Sequence, residues 1–196
     1  FASMEFWVMA DDQLRSQFNR AYMNVAVADP DEWDDCGNGA LSGAYNSTLS
    51  TPVIPITDGH TIQLKFDSHF RNEPPQQVYL TATNFVGDEE ILLHYSDDFN
   101  SDNAGEDMLN EHLIFNIIPE ADDHIQFNWK MADAGNNWFW AIDNVLIQIQ
   151  TPGLGDLNND SQVNVLDVIL VVNIILGSIL PDEIMVHTCD VNHDEL

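Results

Sequence analysis

The chain is 196 residues long, with 33 Asp and Glu against 5 Lys and Arg, and its formal net charge is −28. Such a field repels phosphates, which argues against nucleic acid and anionic membranes as partners and suits a chain that binds divalent cations or stays soluble in salty water. The length and the 44% hydrophobic content allow one large domain with a real core plus a small one; the longest apolar run, within 165–176, is interrupted by Asp167 and Asn173 and is too short to span a membrane.

The sequence opens on Phe1 rather than Met and shows no signal peptide, so a mature product or a piece of a longer chain is expected. Period-two patterns recur through residues 1–150. Ile62, Leu64 and Phe66 share one side of "TIQLKF", and Val78, Leu80 and Ala82 share one side of "QVYLTAT". Ile125, Phe127 and Trp129 do the same in "HIQFNWK", as do Val145, Ile147 and Ile149 in "VLIQIQ". Alternation of this kind marks half-buried antiparallel strands, and their spacing predicts a β-sandwich. Pro30 and the stretches "CGNG", "DGH", "NEPP" and "DAGNN" supply turns between them. Only a short helical turn is expected, near residues 11–19. Cys36 and Cys189 allow a single disulfide across a long loop, and spacing alone leaves their pairing open.

"TPGLG" (151–155) reads as a linker, because Pro152 stops the last strand and two glycines let the chain turn. The expected division is a sandwich over 1–150 and a small element over 156–196. The stretch "DLNNDSQVNVLD" places Asp156, Asn158, Asp160, Asn164 and Asp167 at loop positions 1, 3, 5, 9 and 12, with the backbone carbonyl of Gln162 available at position 7. Calcium takes six to eight hard oxygen ligands, and this spacing delivers them from one tight loop. Position 6, where glycine is usual for its positive φ, is Ser161. The following "VILVVNIILG" predicts a helix apolar on almost every side, ended by Gly177. Either the helix is buried all round against the sandwich and a second repeat, or part of it is a partner surface. Ile169, Val172 and Leu176 are assigned to the second repeat, which leaves Leu170, Val171, Ile174 and Ile175 for a partner.

A loop followed, but not preceded, by a helix resembles a type I dockerin repeat, whose Asp, Asn, Asp, Asn and Asp at those five positions all match here. Asp190, Asn192 and Asp194 begin a second copy 34 residues after Asp156, and that copy stops at Leu196 before its positions 9 and 12. The resemblance implies calcium as cofactor and a cohesin-like module as partner, met from Val165 and Leu166; a neighbouring copy of the chain is the alternative partner. Separately, "NSTLSTPVIPI" and "NNWFWAIDNVLIQI" resemble MAM-like or "choice-of-anchor" jelly-roll sandwiches of secreted bacterial proteins. That resemblance implies a non-catalytic accessory module opening its last strand with "WAIDNV".

Within the sandwich, Asp143 shares parity with Val145, Ile147 and Ile149 and is expected to point inward. A buried carboxylate there needs structural calcium or backbone hydrogen bonds. The acidic stretches "ADPDEWDD" and "DDFNSDNAGED" lack ligand spacing and read as solvated loops. Trp129, Trp138 and Trp140 read as core, leaving Trp33 as the candidate for stacking on a glycan. No His-x-x-x-His pair or Gly-x-Ser-x-Gly elbow points to catalysis. The expectation is a mainly β, jelly-roll sandwich followed by a dockerin-like element, secreted or at the cell surface, giving calcium-dependent attachment or assembly. A carbohydrate-binding module tethered by a dockerin, and a subunit of a calcium-stabilised extracellular fibre, are the alternatives; an enzyme domain before Phe1 is compatible with each.

Overall fold

The alternation of apolar and polar side chains folds the chain into two antiparallel sheets packed face to face. A computed structural model describes residues 2–4, 14–33, 45–56, 61–84, 86–117, 124–150, 153–158, 162–181 and 183–189. Among these, the strands are β1 (Ala2–Met4), β2 (Val25–Ala28), β3 (Tyr45–Ser50), β4 (Ile54–Pro55), β5 (Thr61–Phe70), β6 (Gln77–Asn84), β7 (Glu89–Tyr95), β8 (Met108–Ile117), β9 (His124–Ala134) and β10 (Trp140–Gln150). The helices are α1 (Pro30–Trp33), α2 (Val165–Ile175) and α3 (Glu183–Cys189), with a 3-10 turn at Arg15–Gln17 where a short helical turn is expected.

One sheet runs β1-β2-β10-β5-β8 and the other β3-β9-β6-β7, with β4 also paired to β9. From β7 onward each strand crosses to the opposite sheet, which is jelly-roll connectivity. Ile62, Leu64 and Phe66 from β5 meet Val78 and Leu80 from β6 and Phe127 and Trp129 from β9 in one core. The Phe66 and Trp129 rings pack edge to face at 5.5 Å across the two sheets. Burying each such side chain contributes roughly 1.5–3 kcal/mol. Trp140 is fully buried as well, and its indole N–H donates to Ser68 Oγ at 3.0 Å.

A second, smaller core lies on the outer face of the first sheet. Val25 and Val27 of β2 and Ala141 of β10 join Phe18 and Phe139, with Ala21 and Trp138 at the margin. The segment around Phe18 is held down by two asparagines that sit in bulges with left-handed backbone, Asn110 (φ 56°) in β8 and Asn144 (φ 53°) in β10. Asn110 Nδ2 donates to Gln17 O and its Oδ1 accepts from Asn19 N, while Asn144 Nδ2 donates to Arg20 O. Arg15 and Asp29, both buried, form an ion pair at 2.7 Å beneath the same segment. Asp29 is therefore not part of a solvated loop.

The β10 bulge corrects the expected orientation of Asp143. Register with β5 shifts between Asp143 and Leu146, so parity reverses within the strand. Trp140 and Ile142 face the main core before the bulge and Ile147 faces it afterwards, whereas Val145 and Ile149 are exposed. Asp143 thus shares a face with Ala141, on the outer side. Its Oδ2 accepts from Tyr22 N at 2.5 Å and its Oδ1 from Asn144 N at 2.7 Å, so backbone hydrogen bonds satisfy it.

Candidate metal centre

The C-terminal loop is built by its own polar side chains. Gly155 (φ +87°) turns the chain into the loop, and its N–H donates to Thr188 O of α3 at 2.8 Å. That bond joins the entrance of the first loop to the residue two before Asp190, where the second begins. Asp167 closes the loop from its far end. Its Oδ1 accepts from Leu157 N at 2.9 Å and Asn158 N at 3.2 Å, and its Oδ2 accepts from Asn164 N at 2.7 Å. These backbone donors, Asn164 N foremost, hold the Asp167 carboxyl below the usual carboxylate range. Asn164 caps α2 by accepting from Leu166 N at 2.8 Å, and with Asp167 it makes a capping box.

Loop positions 1 and 12 are thereby brought to one place, and both carboxylates are buried, Asp156 at 3% exposure and Asp167 at 2%. Residues 131–196 carry no Lys or Arg at all. Backbone donors hold Asp167 ionised, and hard oxygens from Asp156, Asp167 and the loop amides are the kind of donor that a calcium ion takes. The residues present therefore fit the ion. Asn158 and Gln162 are exposed and Asn164 is half-buried. Asp160 and Ser161 lie outside the described residues, as do Asp190, Asn192 and Asp194 of the second loop.

The helix α2 ends as expected. Gly177 (φ +70°) follows Leu176, its N–H donates to Ile174 O, and Ser178 N donates to Asn173 O, which together form a Schellman cap. The faces of the helix differ from the expectation. Leu170, Val171 and Ile174 are half-buried, while Ile169, Val172 and Leu176 are exposed. The reason is helical period: Asp167 must point at the loop it clamps, and positions three, four and seven residues on share its face. Val165, Leu166, Ile169, Val172, Ile175 and Leu176 then form an outward apolar stripe, with Ile175 at 76% exposure.

Of the tryptophans, Trp129 and Trp140 are buried, and Trp138 is half-buried with the Arg71 guanidinium 5.1 Å above its ring. The side chain of Trp33 lies outside the described residues, as does Cys36. The acidic stretch 97–107 serves as backbone acceptor: Asp98 Oδ1 takes Asn100 N, Asp102 Oδ2 takes His94 N, and Asp107 Oδ1 takes Asn72 N.

These features define an acidic loop and capped helix following an antiparallel β-sandwich. Residues 154–195 match the model of the Dockerin type I domain, so a dockerin-like element follows the sandwich in this chain. No curated protein matches the sequence. Solved structures similar to the chain include TmCBM61 in complex with beta-1,4-galactotriose, at 12% identity and TM-score 0.39 over 64% of this chain and 82% of that one. Another carries the description "CBM4 structure and function", at 11% identity and TM-score 0.35 over 65% of this chain and 83% of that one. A third is the enzymatically active domain of bacteriophage CBA120 tailspike protein 4, at 15% identity and TM-score 0.37, over 68% of this chain and 16% of that one.

Proposed function

We propose that the chain is a non-catalytic extracellular segment of two modules, a sandwich over 1–150 and a calcium-dependent docking element over 156–196. The observation that carries this reading is the pair of buried carboxylates, Asp156 and Asp167, on one loop of a region without Lys or Arg. Asp156, Asn158, Asp160, the Gln162 carbonyl, Asn164 and Asp167 would hold the ion, and Asp190, Asn192 and Asp194 would begin a second site. Bound calcium supplies the positive charge that lets these oxygens stay together. Asp167 couples the loop to the helix, because the carboxylate that closes the loop also caps α2.

The outward stripe of α2 then meets a protein module of the cohesin kind or a second copy of the chain. An exposed apolar strip on a rigid helix suits a partner groove, with Val165 and Leu166 at its start. Calorimetric titration of chelator-treated protein with calcium chloride tests the ligand set. The expected result is saturable binding that Asp156→Ala weakens by at least about 100-fold. Equal binding by the two proteins counts against the assigned loop.

A further inference from the structure

We infer that the outer face of the β3-β9-β6-β7 sheet is a binding face for a neutral polysaccharide chain. Strand register sets its side chains in rows. Thr48, Lys130, Tyr79 and His94 lie side by side across the four strands, and Ser50, Asn128, Thr81 and Ile91 form the next row. Gln126, Thr83 and Glu89 form the row after that. Within these rows the ionic groups are Lys130 and Glu89, and they bond to each other. In a chain of net charge −28 these rows hold one cation and one anion, with the Asp133 carboxylate beyond them beside Gln77, and are rich in amides and hydroxyls.

Its polar groups are fixed in place by one another. Asn128, recessed at 7% exposure, accepts from Ser50 Oγ at 2.7 Å and donates to Thr83 Oγ1 at 3.0 Å. Thr81 donates to Glu89 Oε1 at 2.6 Å. Gln77 accepts from Tyr79 Oη at 2.7 Å and donates to Asp133 Oδ2 at 3.0 Å. Toward one end the Tyr79 and His94 rings stack face to face, with centroids 4.5 Å apart and planes 2° from parallel. At the other end a cleft of about 290 Å³ is lined by Val53, Thr83, Asn84, His124 and Gln126. Thr83 lies four residue steps beyond Tyr79, about 13 Å along a strand, which is the reach of an oligosaccharide and not of a single sugar.

The chemistry selects the ligand. Sugar hydroxyls both donate and accept, and amides and hydroxyls held in fixed positions answer both without an ordering cost at binding. An anionic polymer is opposed by the charge of the whole chain. An extended peptide gains most by pairing its backbone with a sheet edge, which a face of side chains does not provide.

This inference is independent of the docking reading, and calcium removal separates them. The test is calorimetry of the full chain against cello-, xylo-, manno- and galacto-oligosaccharides, with oligogalacturonate as the anionic comparison. Tyr79→Ala and Gln126→Ala probe the two ends, and Gln63→Ala on the opposite sheet is the control; unfolding midpoints establish that each variant is folded. The expected result is a Kd of about 1 mM or tighter for at least one neutral oligosaccharide, weakened at least about tenfold by a folded Tyr79→Ala or Gln126→Ala variant. Gln63→Ala and chelation leave it unchanged. Absence of binding across the neutral panel, binding that neither variant weakens, or tighter binding of the anionic oligomer overturns the inference.

Discussion

His69 is fully buried between the rings of Phe18 and Phe139, with centroids 5.4 and 5.7 Å away. Burial, with the nearby positive charge of Arg71, pushes its pKa down to about 4. The unfolded chain takes up that proton near pH 6.5, so it binds more protons than the folded chain between about 6.5 and about 4. Folded stability must therefore fall as pH drops through that window, and this residue contributes no slope above it. Urea midpoints measured at about pH 7 and about pH 5 are expected to fall further in the natural chain than in His69→Leu. An equal fall in both contradicts the assignment. At this scale the sequence is least legible. Asp143 has the right parity to point inward, but parity holds only while the strand is regular, and the bulge at Asn144 reverses it.

Among the elements, the segment from Arg15 to Tyr22 shows how irregular backbone serves packing. Asn144 places its amide between Arg20 O and Asp67 Oδ2 because the left-handed bulge lifts it off the sheet. Asn144→Gly keeps the backbone and loses the hydrogen bonds, whereas Asn144→Ala loses both. Destabilisation of about 1–2 kcal/mol is expected for the glycine variant and about 1 kcal/mol more for alanine, read by urea denaturation. Equal stability of the two variants argues against strain at this position. The strands whose inward residues alternate without interruption, β5, β6 and β9 as far as Met131, are the ones legible in the sequence. β8 is not, because the bulge at Asn110 moves its core parity from Met108 to Leu113, Phe115 and Ile117, and Leu109 and Ile114 leave apolar side chains on the other face. The end of α2 is legible, since Gly177 takes the positive φ that its position requires. Its buried face is legible only once Asp167 is used as the pointer.

At the scale of the whole molecule, an apolar, self-sufficient sandwich core stands beside a loop that gathers two buried carboxylates, which under the proposed function hold a cation. The sandwich is held by Phe66, Trp129 and Trp140 and their neighbours, so its stability has no reason to depend on calcium. The helix α2 presents a mostly exposed apolar surface and is fixed at its start by the Asp167 and Asn164 caps, so its order depends on the loop. Amide hydrogen exchange with and without a calcium chelator tests that division most directly. The account predicts that amides of 165–176 lose protection when calcium is removed, while those of β5, β6 and β9 keep theirs. Protection of 165–176 that is the same in both conditions would contradict it.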